Sequence, residues 1–256
     1  MEVIENEEDF TTDRLVAMDI LHQPERVIIE YNGMWLVSNF EKTQLPTGWG
    51  VEQQITCVDG STFQMYMANM KSIFMDMIKN TDMVIFNRCK KEDPLPTYRR
   101  GIKVANQRAE VIFEDEEGEL GDIFQDEMPF DMNAPVIEIL PEDYGIWFVD
   151  AMDHPENYEG KTVKFKARVM KPRGMGSKFF VPGRTAMTCC ADDTTFLGYV
   201  CKSAYAPKLT PGEWVEVTAK VGIEKRNEYQ GEEGIVLDAE HVEQCDPLED
   251  EMVYFN

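Results

Sequence analysis

Four short groupings in this chain are of residue types that can do chemistry. Glu30 and Gly33 form an E-x-x-G after the apolar run Val27-Ile28-Ile29. Asp59-Gly60-Ser61 follows Ile55-Thr56-Cys57-Val58, and Asn87-Arg88-Cys89-Lys90 follows Met83-Val84-Ile85-Phe86. An acid or a glycine just beyond the carboxyl end of a buried strand is where open α/β sheets face their ligands. The fourth grouping, Cys189-Cys190-Ala191-Asp192, offers two thiols and a carboxylate. Those donors, with Cys201 as a further candidate, suit a soft metal at tetrahedral zinc geometry. Neighbouring strand residues point to opposite faces, so both thiols reach one ion only where the strand ends or bulges. The competing reading is one buried and one exposed cysteine. His22, His154 and His241 share no spacing with these residues and read as surface or capping groups.

The elements that must position the first three groupings alternate. Three β-branched residues in succession at Val27 to Ile29 favour a strand covered on both faces. Val3-Ile4-Glu5 reads as the end of an earlier strand, and Glu7 to Leu21 as a helix closed by Pro24. After the strand at Ile55 to Val58, the apolar positions Phe63, Met67, Met70, Phe74 and Met77 advance by four, three, four and three, the stripe of a helix packed on a sheet. Asp59 or Ser61 can cap that helix. A strand at Met83 to Phe86, a basic helix at Tyr98 to Gln107 and a strand at Ala109 to Phe113 complete an α/β half, and Glu114 to Glu127 reads as solvated acidic linker.

In order, these motifs resemble the CobW/HypB/UreG-type metallochaperone GTPases over about residues 3 to 114. The resemblance implies that Glu30 and Gly33 sense the γ-phosphate and its Mg²⁺, that Asp59 lies at the nucleotide, and that Asn87 and Arg88 stand where N-K-x-D reads guanine. The chain departs from that pattern. Lys90 replaces the aspartate that accepts two hydrogen bonds from guanine, and lysine accepts none. No G-x-x-x-x-G-K-[ST] occurs, so the phosphate cradle and the hydroxyl ligand of Mg²⁺ are missing. The family's C-x-C-C metal segment is missing too. The expectation is a partial P-loop-type parallel sheet that begins after its phosphate-binding portion, with GTP and Mg²⁺ bound only if a phosphate loop is supplied upstream and no catalytic residue of its own. Loss of that central strand would leave Val27 to Ile29 as an unpaired edge open to self-association.

From Ala134 the grammar changes. Val136 to Leu140 reads as a strand and Pro141 to Met152 as a short helix. Val163, Phe165, Ala167 and Val169 alternate with Lys164, Lys166 and Arg168, the pattern of a half-exposed antiparallel strand. With Thr185 to Cys190, Phe196 to Cys201, Trp214 to Ile223 and Gly234 to Ala239, five short strands make a small OB-like antiparallel β-barrel the most economical arrangement. The expected domains are residues 1–133 and 134–256. Residues 155–166, 187–193 and 213–217 are similar to the C-terminal domain of a family of permease-associated bacterial proteins, in relatives of which a CobW-type GTPase precedes the same domain. The two resemblances together imply a bacterial metal-homeostasis protein with a permease or a metalloprotein client as partner. The alternative is a non-enzymatic metal-binding or adaptor module whose first half is scaffold.

Composition narrows the classes. With 256 residues, 43% of them hydrophobic, the chain can bury a sizeable core in two domains. Its 48 acids against 25 Lys and Arg give a formal charge of −23, which repels phosphate backbones and anionic membranes. The basic group Lys164, Lys166, Arg168, Lys171, Arg173 and Lys178 could line a single-strand groove, but the acidic bulk opposes it, so nucleic acid is excluded as the primary partner. No apolar run reaches the ~18 residues of a membrane span, and the acidic N-terminus does not resemble a secretory signal. A cytoplasmic location with reduced cysteines is therefore expected.

Overall fold

The computed structural model describes residues 1–121, 128–188 and 194–253. The chain divides into two compact units, one of residues 1–95 and 105–121 and one of residues 96–104 and 122–256.

In the first unit a 3₁₀ turn at Glu7–Asp9 precedes helix α1 (Thr12–His22). Thr11 caps α1 by accepting a hydrogen bond from the Arg14 N–H, so the helix that the pattern starts at Glu7 begins five residues later. The short helix α2 (Val37–Lys42) follows, then β1 (Ile55–Asp59), α3 (Phe63–Ile78), β2 (Met83–Asn87) and β3 (Glu110–Phe113); between β2 and β3 runs α4 (Leu95–Ala105), of which residues 96–104 belong to the second unit. The sheet is parallel in the order β1-β2-β3, with Ile55 opposite Met83 and Met83 opposite Glu110. One face is dry: Thr56, Val58, Val84, Phe86, Val111 and Phe113 are all buried. Helix α3 covers it, with Phe63 edge-on to Phe86 at 4.9 Å, and Phe86 in turn stacks on Phe113 at 4.8 Å. Full burial of one such ring stabilises by roughly 1.5–3 kcal/mol.

Helix α3 departs from its expected stripe. It kinks at Met70 (φ −133°, ψ 31°), beyond which the buried residues are Phe74, Met75 and Ile78 rather than Met77. The Asn69 side-chain amide donates to the Met65 carbonyl at 2.7 Å, a side chain inserted into the helical ladder, which is a recognised cause of bending. The N-terminal cap is also not the expected one. Asp59 directs its carboxylate to Ser61 and Arg88, and Thr62 stands at the cap position without a side-chain capping bond, its hydroxyl donating instead to Asp59 O at 3.3 Å.

Val27 to Ile29 is not a buried strand. The three side chains are 43%, 90% and 40% exposed in an irregular segment, and Val3 to Glu5 likewise forms no strand. A β-branched run becomes a strand only where a neighbour completes its ladder, and β1 pairs with β2 alone.

In the second unit, β4 (Ile137–Glu138) and a 3₁₀ turn at Pro141–Asp143 lead into α5 (Tyr144–Asp153). Among the described residues seven strands follow: β5 (Thr162–Met170), β6 (Phe179–Met187), β7 (Thr194–Gly198), β8 (Val200–Lys202), β9 (Trp214–Lys225), β10 (Glu233–Gln244) and β11 (Met252–Val253). Five of them close a ring, β5-β6-β8-β10-β9 and back to β5, as an OB-like barrel requires. All ring pairings are antiparallel except β8 with β10. The alternation read from β5 holds: Val163, Phe165, Ala167 and Val169 are buried. They join Val215, Val217, Ala219 and Val221 of β9 and Ile235 and Leu237 of β10 in one core with Trp147 and Phe148 of α5. Strand β6 begins at Phe179, six residues before its expected start, and β7 and β8 divide the expected run at Phe196 to Cys201. Where Gly183 pairs with Gly198, an added Cβ at either would overlap the facing backbone, Leu197 O or Pro182 O. These glycines let β6 and β7 meet without side chains between them.

Candidate functional site

Parallel order places the carboxyl ends of β1, β2 and β3 together, and with them three of the five residues expected at a nucleotide: Asp59, Asn87 and Arg88. The backbone fixes this cluster. Gly60 N–H donates to Asn87 O at 2.8 Å, and Cys89 N–H donates to Glu114 O at 2.9 Å, tying the loops that follow the three strands to one another. Arg88 holds a left-handed backbone (φ 55°), which is uncommon for a residue with a side chain. That turn sends its guanidinium to Asp59 at 2.7 Å. Gly60 is required here because a Cβ would come within 2.7 Å of Cys89 Sγ and 3.0 Å of Asn87 O.

Asp59 is fully engaged. One oxygen accepts from the Ser61 hydroxyl at 2.6 Å and the Ser61 N–H at 3.0 Å, and the other accepts from Arg88. The Ser61 bond foremost, with Arg88, holds its carboxyl below the usual range. Beside it the Cys89 thiol is buried and pushed up to about 11 by desolvation, with the nearby Asp93 adding to the effect. It is therefore a neutral packing group rather than a nucleophile. Glu30 and Gly33 lie in the irregular segment before α2, and Gly33 O accepts a hydrogen bond at 3.3 Å from Tyr66 in the first turn of α3. Strand order 1-2-3 advances in one direction only, so this sheet has no reversal at which a ligand crevice would open. Both oxygens of Asp59 are held by Ser61 and Arg88 in this arrangement.

In the barrel, Cys189, Cys190 and Asp192 lie outside the described residues. Cys201, the further donor, is buried in the core, and desolvation raises its pKa strongly. Among the described residues no group of three or more His, Cys, Asp and Glu is arranged to hold a metal ion. Half of the basic group on β5 and the loop after it is paired internally. Lys164 pairs with Glu216 at 2.9 Å, Arg168 donates to Gly212 O, and Lys171 Nζ donates to the carbonyls of Ala206 and Leu209 at 2.6 Å each. Three of its six cations thus have partners within the fold.

Two features escape the sequence reading. One is Arg184 of β6, buried, with its guanidinium over the Tyr144 ring at 5.7 Å and donating to the carbonyls of Pro141, Asp250 and Met252. A lone arginine between glycine and threonine carries no signal that it is interior. The other is the sheet face opposite α3, where Ile55 is 47% exposed and Cys57 is also exposed, while Met83, Ile85 and Ile112 are half-buried. Apart from Glu110, the residues on both faces are apolar enough to pass for core, so only the fold tells the two sides apart.

No helix among the described residues is long and apolar enough to cross a membrane. Residues 119–255 match the family described as the DUF1980 C-terminal domain. No curated protein matches the chain. Among solved structures, the chain is similar to the mitochondrial single-stranded DNA binding protein Rim1 of S. cerevisiae, at 10% identity over 34% of this chain and 97% of that one, with a TM-score of 0.22. It is also similar to an aspartyl tRNA synthetase from Entamoeba histolytica, at 14% identity over 46% of this chain and 27% of that one, with a TM-score of 0.25. Likenesses this slight carry no argument about ligand or mechanism.

Proposed function

From the premise that this chain belongs to the DUF1980 C-terminal domain family, we propose that it is a non-enzymatic adaptor module of a metal-homeostasis system rather than a GTPase. The observation that carries the reading is the state of Asp59. It is the acid that meets Asn87 and Arg88 at the strand ends, and its oxygens are taken by Ser61 and Arg88. Phosphoryl transfer depends on a preorganised clamp of backbone amides, lysine and metal around the phosphates, and the chain holds no G-x-x-x-x-G-K-[ST] to supply one. The metal-handling half rests on the order of the strand-end motifs and their resemblance to metallochaperone GTPases, with a permease or metalloprotein client as the partner class.

Two measurements on one preparation test the two halves. Titration with a fluorescent GTP analogue and Mg²⁺ is expected to give no saturable binding and no phosphate release; saturable binding that Asp59→Asn abolishes would overturn the adaptor reading. Elemental analysis of protein purified without chelator bears on Cys189 and Cys190. Near-stoichiometric zinc that falls in Cys190→Ser supports metal handling, and metal-free protein with unchanged stability removes it.

A further inference from the structure

We propose that the uncovered face of the three-stranded sheet docks a basic amphipathic helix supplied by a partner protein. The inference rests on the adaptor reading and names the chemistry of what is bound.

The burial contrast across this sheet is sharp. On the α3 side Val84 and Phe86 are wholly buried; on the other side Ile55 is 47% exposed. The register sets the open side in rows: Ile55, Met83 and Glu110 across the sheet, then Cys57, Ile85 and Ile112. Five of those six residues are apolar. Parallel sheets are found almost only with both faces covered, normally by helices. Here α3, the helix of the β1–β2 crossover, lies on the buried side, where Phe63 meets Phe86. The first unit as a whole has the surface of a protein awaiting a partner. Among the described residues, twelve of the fifteen exposed large apolar side chains belong to it, Ile20, Leu21, Val51 and Ile55 among them.

Size and charge select the occupant. Three strands about 4.8 Å apart present a strip about 10 Å wide, the width of one α-helix. The first unit carries 22 Asp and Glu against nine Lys and Arg, a charge of −13. Glu110 stands in the first row of the open face, and Glu52, exposed and paired with Arg26 at 3.2 Å, lies three residues before Ile55. A second copy of this face would bring like charges together, and an anionic membrane surface is repelled for the same reason. A helix with an apolar stripe flanked by Lys and Arg meets both the patch and its rim.

The test uses the whole chain and a synthetic Leu/Lys amphipathic peptide of about 18 residues, roughly 27 Å as a helix, beside a Leu/Glu peptide of the same spacing. Binding is read by anisotropy, and docking by alkylation of Cys57, which lies in the second row. Saturable binding of the Leu/Lys peptide alone is expected, slowing Cys57 alkylation about tenfold or more. Both effects should vanish in Ile55→Glu and persist in Met65→Glu, on the exposed surface of α3. Ile55→Glu adds a negative charge, so binding driven by charge alone would rise rather than vanish. Binding without protection of Cys57, binding retained in Ile55→Glu, or a dimer whose Cys57 is shielded before any peptide is added would each overturn the proposal. A negative peptide result with no nucleotide binding removes this surface only, whereas GTP turnover removes the adaptor reading itself.

Discussion

Asp59 at the end of β1 and Cys89 just after β2 are near neighbours, and their environments push their ionisation in opposite directions. Asp59 is held below the carboxylate range by Ser61 and then Arg88, so its contribution is present above the unfolded value and fades only as pH falls through the lowered one. It stays constant near neutrality. Cys89 is raised to about 11 by burial, so the unfolded chain releases its thiol proton first as pH rises. Stability is therefore expected to be full below about pH 8.5 and to fall between there and about 11, by roughly 2 kcal/mol. Urea midpoints at pH 8 and 10.5, for the parent and Cys89→Ala, measure this. A parent no more pH-sensitive than the variant would contradict the assignment. Under native conditions at pH 8, iodoacetamide should modify exposed Cys57 well before Cys89 or Cys201.

At the scale of elements, the barrel is closed by pairings that the strand pattern implies and by one residue that it does not. Arg184 links β6 to the carbonyls of Pro141, Asp250 and Met252, and so fixes both the turn before α5 and the short β11 beside β6. Burial lowers its pKa, foremost by desolvation, yet the guanidinium remains the donor for three carbonyls. Arg184→Met keeps the apolar stem and leaves those acceptors without a partner. A loss of about 3 kcal/mol is expected, with faster hydrogen exchange at Met252 and Val253 than elsewhere in the barrel. Unchanged unfolding in urea would show that residues 250–253 are held by packing alone.

For the whole molecule, the two units are unequal. The barrel's five strands enclose one continuous core, while the first unit leaves one face of a three-stranded sheet and much of its N-terminal segment in water. Local opening tracks buried contacts and protected hydrogen bonds, so the first unit is expected to unfold at lower denaturant than the second, in two transitions rather than one. In hydrogen exchange, the amides of Val27 to Ile29 should exchange fast and those of Val215 to Val221 slowest. Equal protection of the two segments in a monomer would mean that the N-terminal segment belongs to a complete sheet after all.

The alternation of β5 and β9, the helix–strand rhythm from Ile55 to Phe113 and the five-strand count of the barrel were legible in residue order, because side-chain period and turn chemistry are local properties. The strand-end clustering of Asp59, Asn87 and Arg88 was legible for the same reason, since consecutive βα units bring successive strand ends together. Three other features depended on tertiary structure. Whether Val27 to Ile29 is a strand turned on a neighbour to pair with, and the run itself holds no information about that neighbour. Which carboxylate oxygens remain available at Asp59 turned on where Ser61 and Arg88 point. Which face of the β1-β2-β3 sheet stays dry turned on strand order, because Thr56, Cys57, Ile85 and Phe86 are all compatible with a core until the crossovers choose a side.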